Sequence, residues 1–471
     1  MSNNAPRVPK RLHCRDLGAE PTGILVLSDE RVELYFVGYE DFVYVHEDGP
    51  AYVVTEEGSV VSLHNNVPGL HSSRSVTTKL RGADRGHKGD EHRTIFQSGI
   101  ISNLAVIGAD AWRPDDLVRR LTFDVAHTEH ILRHREKVRS LGRTTNPTDS
   151  DLTLYRSEAG NVTLVAGYAA TYGIDTQSLT TFRPTFSIGF AKGCRLSEIS
   201  KHLVHYVSFL SFVLGGTMAP TAVHIDRLSF DEMVRAVEGR TYVGDHEVMW
   251  NWSTEEYEPR ELAFHGAPFV AEDDVELAAF EAGLVQWVNR ADEWERAYIR
   301  MTESLRLRHV VSGERLLAAW RWFEELPIAK AERVLNDTAV ERVIQAALEV
   351  VRDQGLADTE ERVRGALTRI GEETVRNRFL RLIGSVQARF GVEHLLEMID
   401  HLENARRFRG RVAHGHFAAR DESETRRFNK AILAVESLCF LLTARDLPMT
   451  EASRGRIWSH PVLETFDLAY S

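Results

Sequence analysis

Residues 275–307, "VELAAFEAGLVQWVNRADEWERAYIRMTESLRL", decide the fold, because from Val275 onward the apolar residues take on helical spacing and keep it to the end of the chain. "GERLLAAWRWFEEL", "TAVERVIQAALEVVRD", "TEERVRGALTRIG", "NRFLRLIGSVQARFG", "VEHLLEMIDHLENARRF" and "SETRRFNKAILAVESLCFLLTARDL" follow in the same pattern. Residues 275–471 therefore read as an all-α domain of six or seven helices, packed as a bundle. In "VEHLLEMIDHLENA" the expected core face is Val392, Leu395, Leu396, Ile399 and Leu402; in the last long helix it is Ile432, Val435, Leu438, Cys439 and Leu442. The aromatic residues from Trp287 to Phe323 fall at helical spacing and are assigned to this core rather than to a base-stacking platform.

Upstream the pattern changes. "TGILVL", "VELYFVG", "FVYVHE", "AYVVTE" and "SVVSLH" are short β-branched and aromatic runs separated by Asp, Glu and Gly, which predicts antiparallel strands in a sandwich or barrel. "PGLHSSRSVTTKLRGADRGHKGDEH" reads as a long polar surface loop, after which strand patterns resume at "TIFQSGIISNLAVIG", "RLTFDVA", "NVTLVAGYAATYG" and "TTFRPTFSIGF". One helix, "RLSEISKHLVHYVSFLSFVLGG", stops at Gly215 and Gly216 and is expected to pack on the sheet. The fold class is thus α+β: a β-rich domain over 1–230, a linker or peripheral segment over 231–274, and the helical domain over 275–471.

The 471 residues exceed what a single hydrophobic core usually serves, roughly 250 to 300 residues. A chain with 43% hydrophobic and 27% charged residues has the composition of a folded protein. Its three cysteines, Cys14, Cys194 and Cys439, are widely separated, which argues against a disulfide framework or a zinc cluster built on thiolates. No signal-peptide pattern begins the sequence and no membrane-spanning apolar run occurs in it, so a cytoplasmic protein without membrane contact is expected. A net charge of −12 disfavours indiscriminate nucleic-acid binding but leaves room for a local basic site, since salt screens exposed charges beyond about 8 Å.

No GxxxxGK[ST] loop, GxGxxG after a strand, GxSxG elbow or HExxH is present, which removes the common nucleotide, hydrolase and zincin chemistries. His127, His130 and His134 in "HTEHILRH" would share one face of a helix and could hold a metal. With no further ligand cluster to complete a site, the segment reads as a surface or domain-contact helix, and no metal or cofactor is assigned. His87 and His92 are placed in a solvated loop.

What remains is "ARRFRGRVAHGHFAAR", residues 405–420, with five arginines, two histidines and no acidic residue. Several Arg/His pairs have related spacings there: Arg409 with His414, Arg411 with His416, Arg407 with His414. Within it, "RGRVAHG" resembles the R-x(4–6)-H motif of HEPN domains, small helical domains of which many are metal-independent ribonucleases, and especially the form R-N-x-x-A-H-G. By that resemblance Arg409 takes the place of the motif arginine, Ala413 of the small residue, His414 of the histidine and Gly415 of the glycine. Gly410 departs from it, standing where many members carry a polar residue, often asparagine. The order of a β-rich half with "TGILVL", "VELYFVG" and "IFQSGI" before a helical half is similar to the ApeA-type anti-phage proteins, which implies an abortive-infection role and a phage-derived trigger.

The chemistry suits these residue types. RNA carries its own nucleophile, the 2′-OH, so a ribonuclease needs proton transfer and charge stabilisation at one phosphate. Histidine moves protons near neutrality and arginine binds phosphate oxygens bidentately. His414 is therefore assigned as general acid/base and Arg409 as phosphate clamp, with Arg406, Arg407, Arg411 and His416 lining the cleft for neighbouring phosphates of the RNA. On a continuous helix Arg409 and His414 would point about 140° apart, so a break is expected where Gly410 and Gly415 allow it. The HEPN resemblance also implies a homodimer, or a larger homo-oligomer, that joins two Arg/His sets. Two rival readings are a HEPN-like module that binds RNA or a partner without cutting it, and a nucleotidyl- or metal-dependent enzyme built on the His127 cluster.

Overall fold

The computed structural model describes residues 10–16, 22–27, 32–38, 51–55, 57–68, 72–78, 91–144, 147–172, 179–242, 244–250, 262–263, 265–368, 370–391, 393–415, 419 and 421–463. They form two compact units: residues 1–207 with 218–258, and residues 208–217 with 259–471.

Among the described residues the first unit is built on thirteen strands: β1 (Lys10–Asp16), β2 (Thr22–Leu27), β3 (Val32–Gly38), β4 (Ala51–Thr55), β5 (Val60–Pro68), β6 (Ser72–Thr78), β7 (Glu91–Gly108), β8 (Leu117–Val125), β9 (Thr153–Ala159), β10 (Val162–Tyr172), β11 (Leu179–Arg195), β12 (Pro220–Asp226) and β13 (His246–Trp250). Their order is β3-β2-β1-β4-β5-β7-β13-β12-β8-β11-β10-β9, with β6 added to β7. β7 is 18 residues long and serves four partners: β6 over Glu91–Gln97, β3 over 96–102, β5 over 100–108 and β13 over 104–107. Because β3 and β5 both return to β7, the chain of pairings β7-β3-β2-β1-β4-β5 closes on itself, which removes the exposed edges an open sheet would leave. The β4–β5 hairpin turns at Gly58, whose φ of 86° is the left-handed conformation glycine tolerates best.

The short helices α1 (Arg135–Leu141) and α2 (Asp149–Leu152) follow β8, and α3 (Ile199–Leu214) follows β11. Tyr206 of α3 sets its ring 5.2 Å from both Phe123 of β8 and Phe186 of β11, so this helix packs on the sheet through large buried aromatics. α4 (Phe230–Glu238) starts at Ser229 with a reciprocal Ser229/Glu232 cap.

Two expectations change here. Residues 231–274, read as linker or peripheral segment, contain most of α4 and all of β13, a strand paired on both sides, to β7 and β12. Its five residues are too few to show an alternating pattern. The polar stretch read as one loop contains β6 and the start of β7, held by backbone pairing that a Ser/Thr-rich sequence can supply without an apolar face. The stretch "FVYVHE", residues 42–47, and His87 lie outside the described residues, whereas Cys14 lies in β1.

The second unit contains α5 (Asp274–Asn289), α6 (Ala291–Arg306), α7 (Gly313–Glu325), α8 (Asp337–Asp353), α9 (Glu360–Leu367), α10 (Val375–Phe390), α11 (Met398–Ala413), α12 (Glu422–Ala444) and α13 (Glu451–Arg456). The opening stretch 275–307 is two helices, not one, parted at Arg290, whose guanidinium lies 4.0 Å over the Trp294 ring and 5.0 Å from the Trp287 ring. Trp287, Trp294, Trp320, Trp322 and Phe323 are all buried, as a core assignment requires. α12 is the central element: every residue from Ala431 to Ala444 is buried, including Glu436, which Arg315 of α7 engages through Nε at 2.9 Å and Nη2 at 2.6 Å. α8 and α9 form a separate small core of Val340, Ile344 and Leu348 against Val363 and Leu367. The chain is therefore an antiparallel sheet unit followed by a helical region. Among the described residues, no helix is long and apolar enough to cross a membrane.

Candidate functional site

α11 is amphipathic: Met398, Ile399, Leu402, Ala405 and Phe408 are buried, and the Phe408 ring meets Phe428 of α12 edge to face at 5.3 Å. Leu396, expected on the same face, is 52% exposed because it lies in a 3-10 turn (Glu393–Glu397) ahead of the helix; Val392 lies outside the described residues. Gly313, the first residue of α7, passes so close to Val412 that a Cβ there would meet Val412 Cγ1 at 2.8 Å. The amide end of α7 is thus held beside the C-terminal end of α11.

The helix does not break at Gly410. It runs through to Ala413, with His414 as the capping residue, its N–H donating to Gly410 O at 3.3 Å, and Gly415 following in the left-handed conformation, φ 69°. Arg409 therefore sits within the last two turns and His414 at the exposed end. Helical rotation separates their directions by about 140°.

Arg409 points to α7. Its Nη2 donates to Glu324 Oε2 at 3.3 Å and lies 3.0 Å from Oε1 in the same ion pair, and its guanidinium carbon is 5.4 Å from the Trp320 ring. Trp320 Nε1 donates to the same carboxylate at 2.9 Å, fixing it for the arginine. Arg378 of α10 lies 4.7 Å over Phe323; its pKa is lowered, chiefly by burial, against the attraction of Glu373 and Glu324. None of Trp320, Glu324 and Arg378 was expected from the sequence. Glu324 is 85 residues from Arg409, and the only local signal is the one-turn spacing of Trp320 and Glu324.

The other predicted basic residues among those described spread around the helix rather than lining one cleft. Arg406 and Arg407 are exposed, and neither has a carboxylate partner among the described residues. Arg411 turns to α12, where it pairs with Glu424 Oε1 at 2.6 Å. His416 lies outside the described residues. Of the histidines weighed as ligands, His127 and His130 stay close in a tight turn while His134 caps α1.

No protein-family model matches the chain, and no curated protein or solved structure matches it either.

Proposed function

We propose that this chain is a metal-independent endoribonuclease of the HEPN type, acting in an anti-phage, abortive-infection system in the cytoplasm. The observation that carries the reading is the placement of Arg409 and His414 on the last turns of one solvent-facing helix end, with Arg409 held by a carboxylate pair that a phosphate can replace. Two oxygens of Glu324 on one guanidinium nitrogen offer the charge that a phosphodiester brings.

In this reading the 2′-oxygen attacks phosphorus as His414 takes its proton, the bond to the 5′-oxygen breaks, and a protonated histidine returns a proton to that leaving oxygen. Arg409 stabilises the charge that builds on the non-bridging oxygens. The products are a 2′,3′-cyclic phosphate and a 5′-hydroxyl. Since one helix directs Arg409 and His414 apart, a homodimer that joins two α11 ends completes the cleft, and the exposed Arg406 and Arg407 supply its electrostatic surface.

Sequencing RNA ends from cells that express the active chain tests this. Cyclic phosphate and 5′-hydroxyl ends should accumulate; 3′-hydroxyl ends paired with 5′-phosphates would require a different reaction. If RNA is bound without new ends, the chain is a binding module.

A further inference from the structure

The segment between β8 and α1 gathers three metal-ligating side chains that the proposed ribonuclease chemistry does not use. His127 adopts φ 67°, ψ 0°, a left-handed conformation that few non-glycine residues take, and the chain then makes a 3-10 turn over Thr128–His130. The turn is pinned from below. Thr128 is buried and its hydroxyl donates to Val125 O at 2.7 Å, Leu132 N donates to Thr128 O at 2.8 Å, and Ile131 and Leu132 are fully buried.

Above this anchor the His127 and His130 rings lie 6.4 Å apart with planes 21° from parallel, and His130 Nε2 is 3.7 Å from Glu129 Oε1. One donor atom from each of His127, Glu129 and His130 falls within 4.8 Å of the others. His134 is not part of the group: it is buried, and its Nδ1 accepts from Lys137 N at 3.3 Å to cap α1. The left-handed residue therefore replaces the i, i+3, i+7 alignment of a helix with a three-residue cluster of different membership.

We propose that His127, Glu129 and His130 form a binding site for a divalent zinc-class cation. Two imidazoles and a carboxylate are a donor set zinc favours, and three protein ligands leave a fourth position for water. Ligand atoms about 2.0 to 2.2 Å from a zinc ion must converge on one point, and the exposed side chains of Glu129 and His130 can rotate to that point without moving the buried anchor. Strain at His127 fits such a role, because a disfavoured backbone conformation of order 1 kcal/mol or more is retained where a site depends on it.

The test uses the full chain, freed of any affinity tag and stripped of metal, titrated with zinc by calorimetry and analysed for bound metal after dialysis. One equivalent of zinc is expected in the parent protein, with at least about a tenfold loss of affinity in His130→Ala and in Glu129→Ala. His127→Gly is the decisive variant, since it deletes a ligand at a backbone position glycine prefers; it should fold at least as well and bind no stoichiometric zinc. Glu136→Gln, outside the cluster, should keep full binding. A parent protein that takes up no zinc, or a His127→Gly/His130→Ala protein that keeps one equivalent, would overturn the site. RNA cleavage does not enter the readout, so failure here leaves the ribonuclease reading untouched, and the reverse holds as well.

Discussion

Nη2 of Arg409 is shared between both carboxylate oxygens of Glu324, at 3.0 and 3.3 Å, while Trp320 holds one of those oxygens in place. Both partners are about two-fifths exposed, so the pair sits in solvent-screened surroundings and is worth little, about 0 to 1 kcal/mol. In the proposed ribonuclease reading a phosphodiester displaces the carboxylate at that small cost.

Replacing Glu324 by Gln keeps an acceptor for Trp320 and removes the competing charge. Affinity for a 2′-deoxy-substituted, uncleavable RNA should rise by up to about fivefold, read by fluorescence anisotropy. Arg409→Ala should lose about ten- to a hundredfold. If Glu324→Gln weakens binding instead, the carboxylate positions Arg409 rather than competing for it.

Gly410 lies inside an unbroken helix, and a Cβ there would meet nothing within 4 Å. Gly410→Ala should therefore stabilise the helical unit by about 0.5 to 1 kcal/mol in urea titrations. Gly415→Ala, at φ 69°, should cost about 1 kcal/mol. Equal effects of the two substitutions would contradict the observed helix end. Gly410→Asn, which restores the side chain common in HEPN motifs, fits the same open space and should leave cleavage no slower.

Arg315 and Glu436 form a bidentate pair in the core, each side chain 4% exposed. Burial would lower the arginine's pKa, yet the charge and hydrogen bonds of Glu436 raise it. Glu436→Ala strands the guanidinium and should cost about 3 to 5 kcal/mol, measured by urea unfolding. A loss below 1 kcal/mol would mean that water reaches Arg315.

His460 is fully buried and stacked on Phe440 at 4.1 Å; burial, then the charge of Arg308, lower its pKa from 6.5 to about 3. Above pH 6.5 neither the folded nor the unfolded chain protonates it, and its neutral packing contributes in full. Between pH 6.5 and 3 the unfolded chain takes up the proton and the folded chain does not, so stability falls with pH by up to about 1.4 kcal/mol per unit from this group. His460→Phe keeps the stack and should flatten that slope, followed by circular dichroism in urea at stepped pH. An unchanged slope would place the acid sensitivity elsewhere.

The long helices were legible because burial is written into their spacing: Ile432, Val435, Leu438, Cys439 and Leu442 are all buried as the period of α12 requires. The same reasoning fails where a break depends on tertiary contacts. The division at Arg290, whose guanidinium is seated among Trp287, Trp294 and Tyr298, is marked in sequence only by Asn289 before it and the acidic Asp292 and Glu293 after it, signals that an unbroken apolar period outweighs. β6 and β13 were missed because pairing to β7, not side-chain pattern, makes them strands. At the site, composition marked the basic stretch 405–420 and the resemblance to the HEPN motif singled out Arg409 and His414 within it, whereas Glu324 and Trp320 did not stand out, since one acidic and one aromatic residue on a helix have no distinguishing period.

RNA integrity in phage-challenged cells carrying the parent chain or His414→Ala, at matched expression, measures the central assignment most directly. The parent chain should fragment RNA to cyclic-phosphate ends and His414→Ala should leave it intact while still binding it; fragmentation equal to the parent's would contradict the assignment.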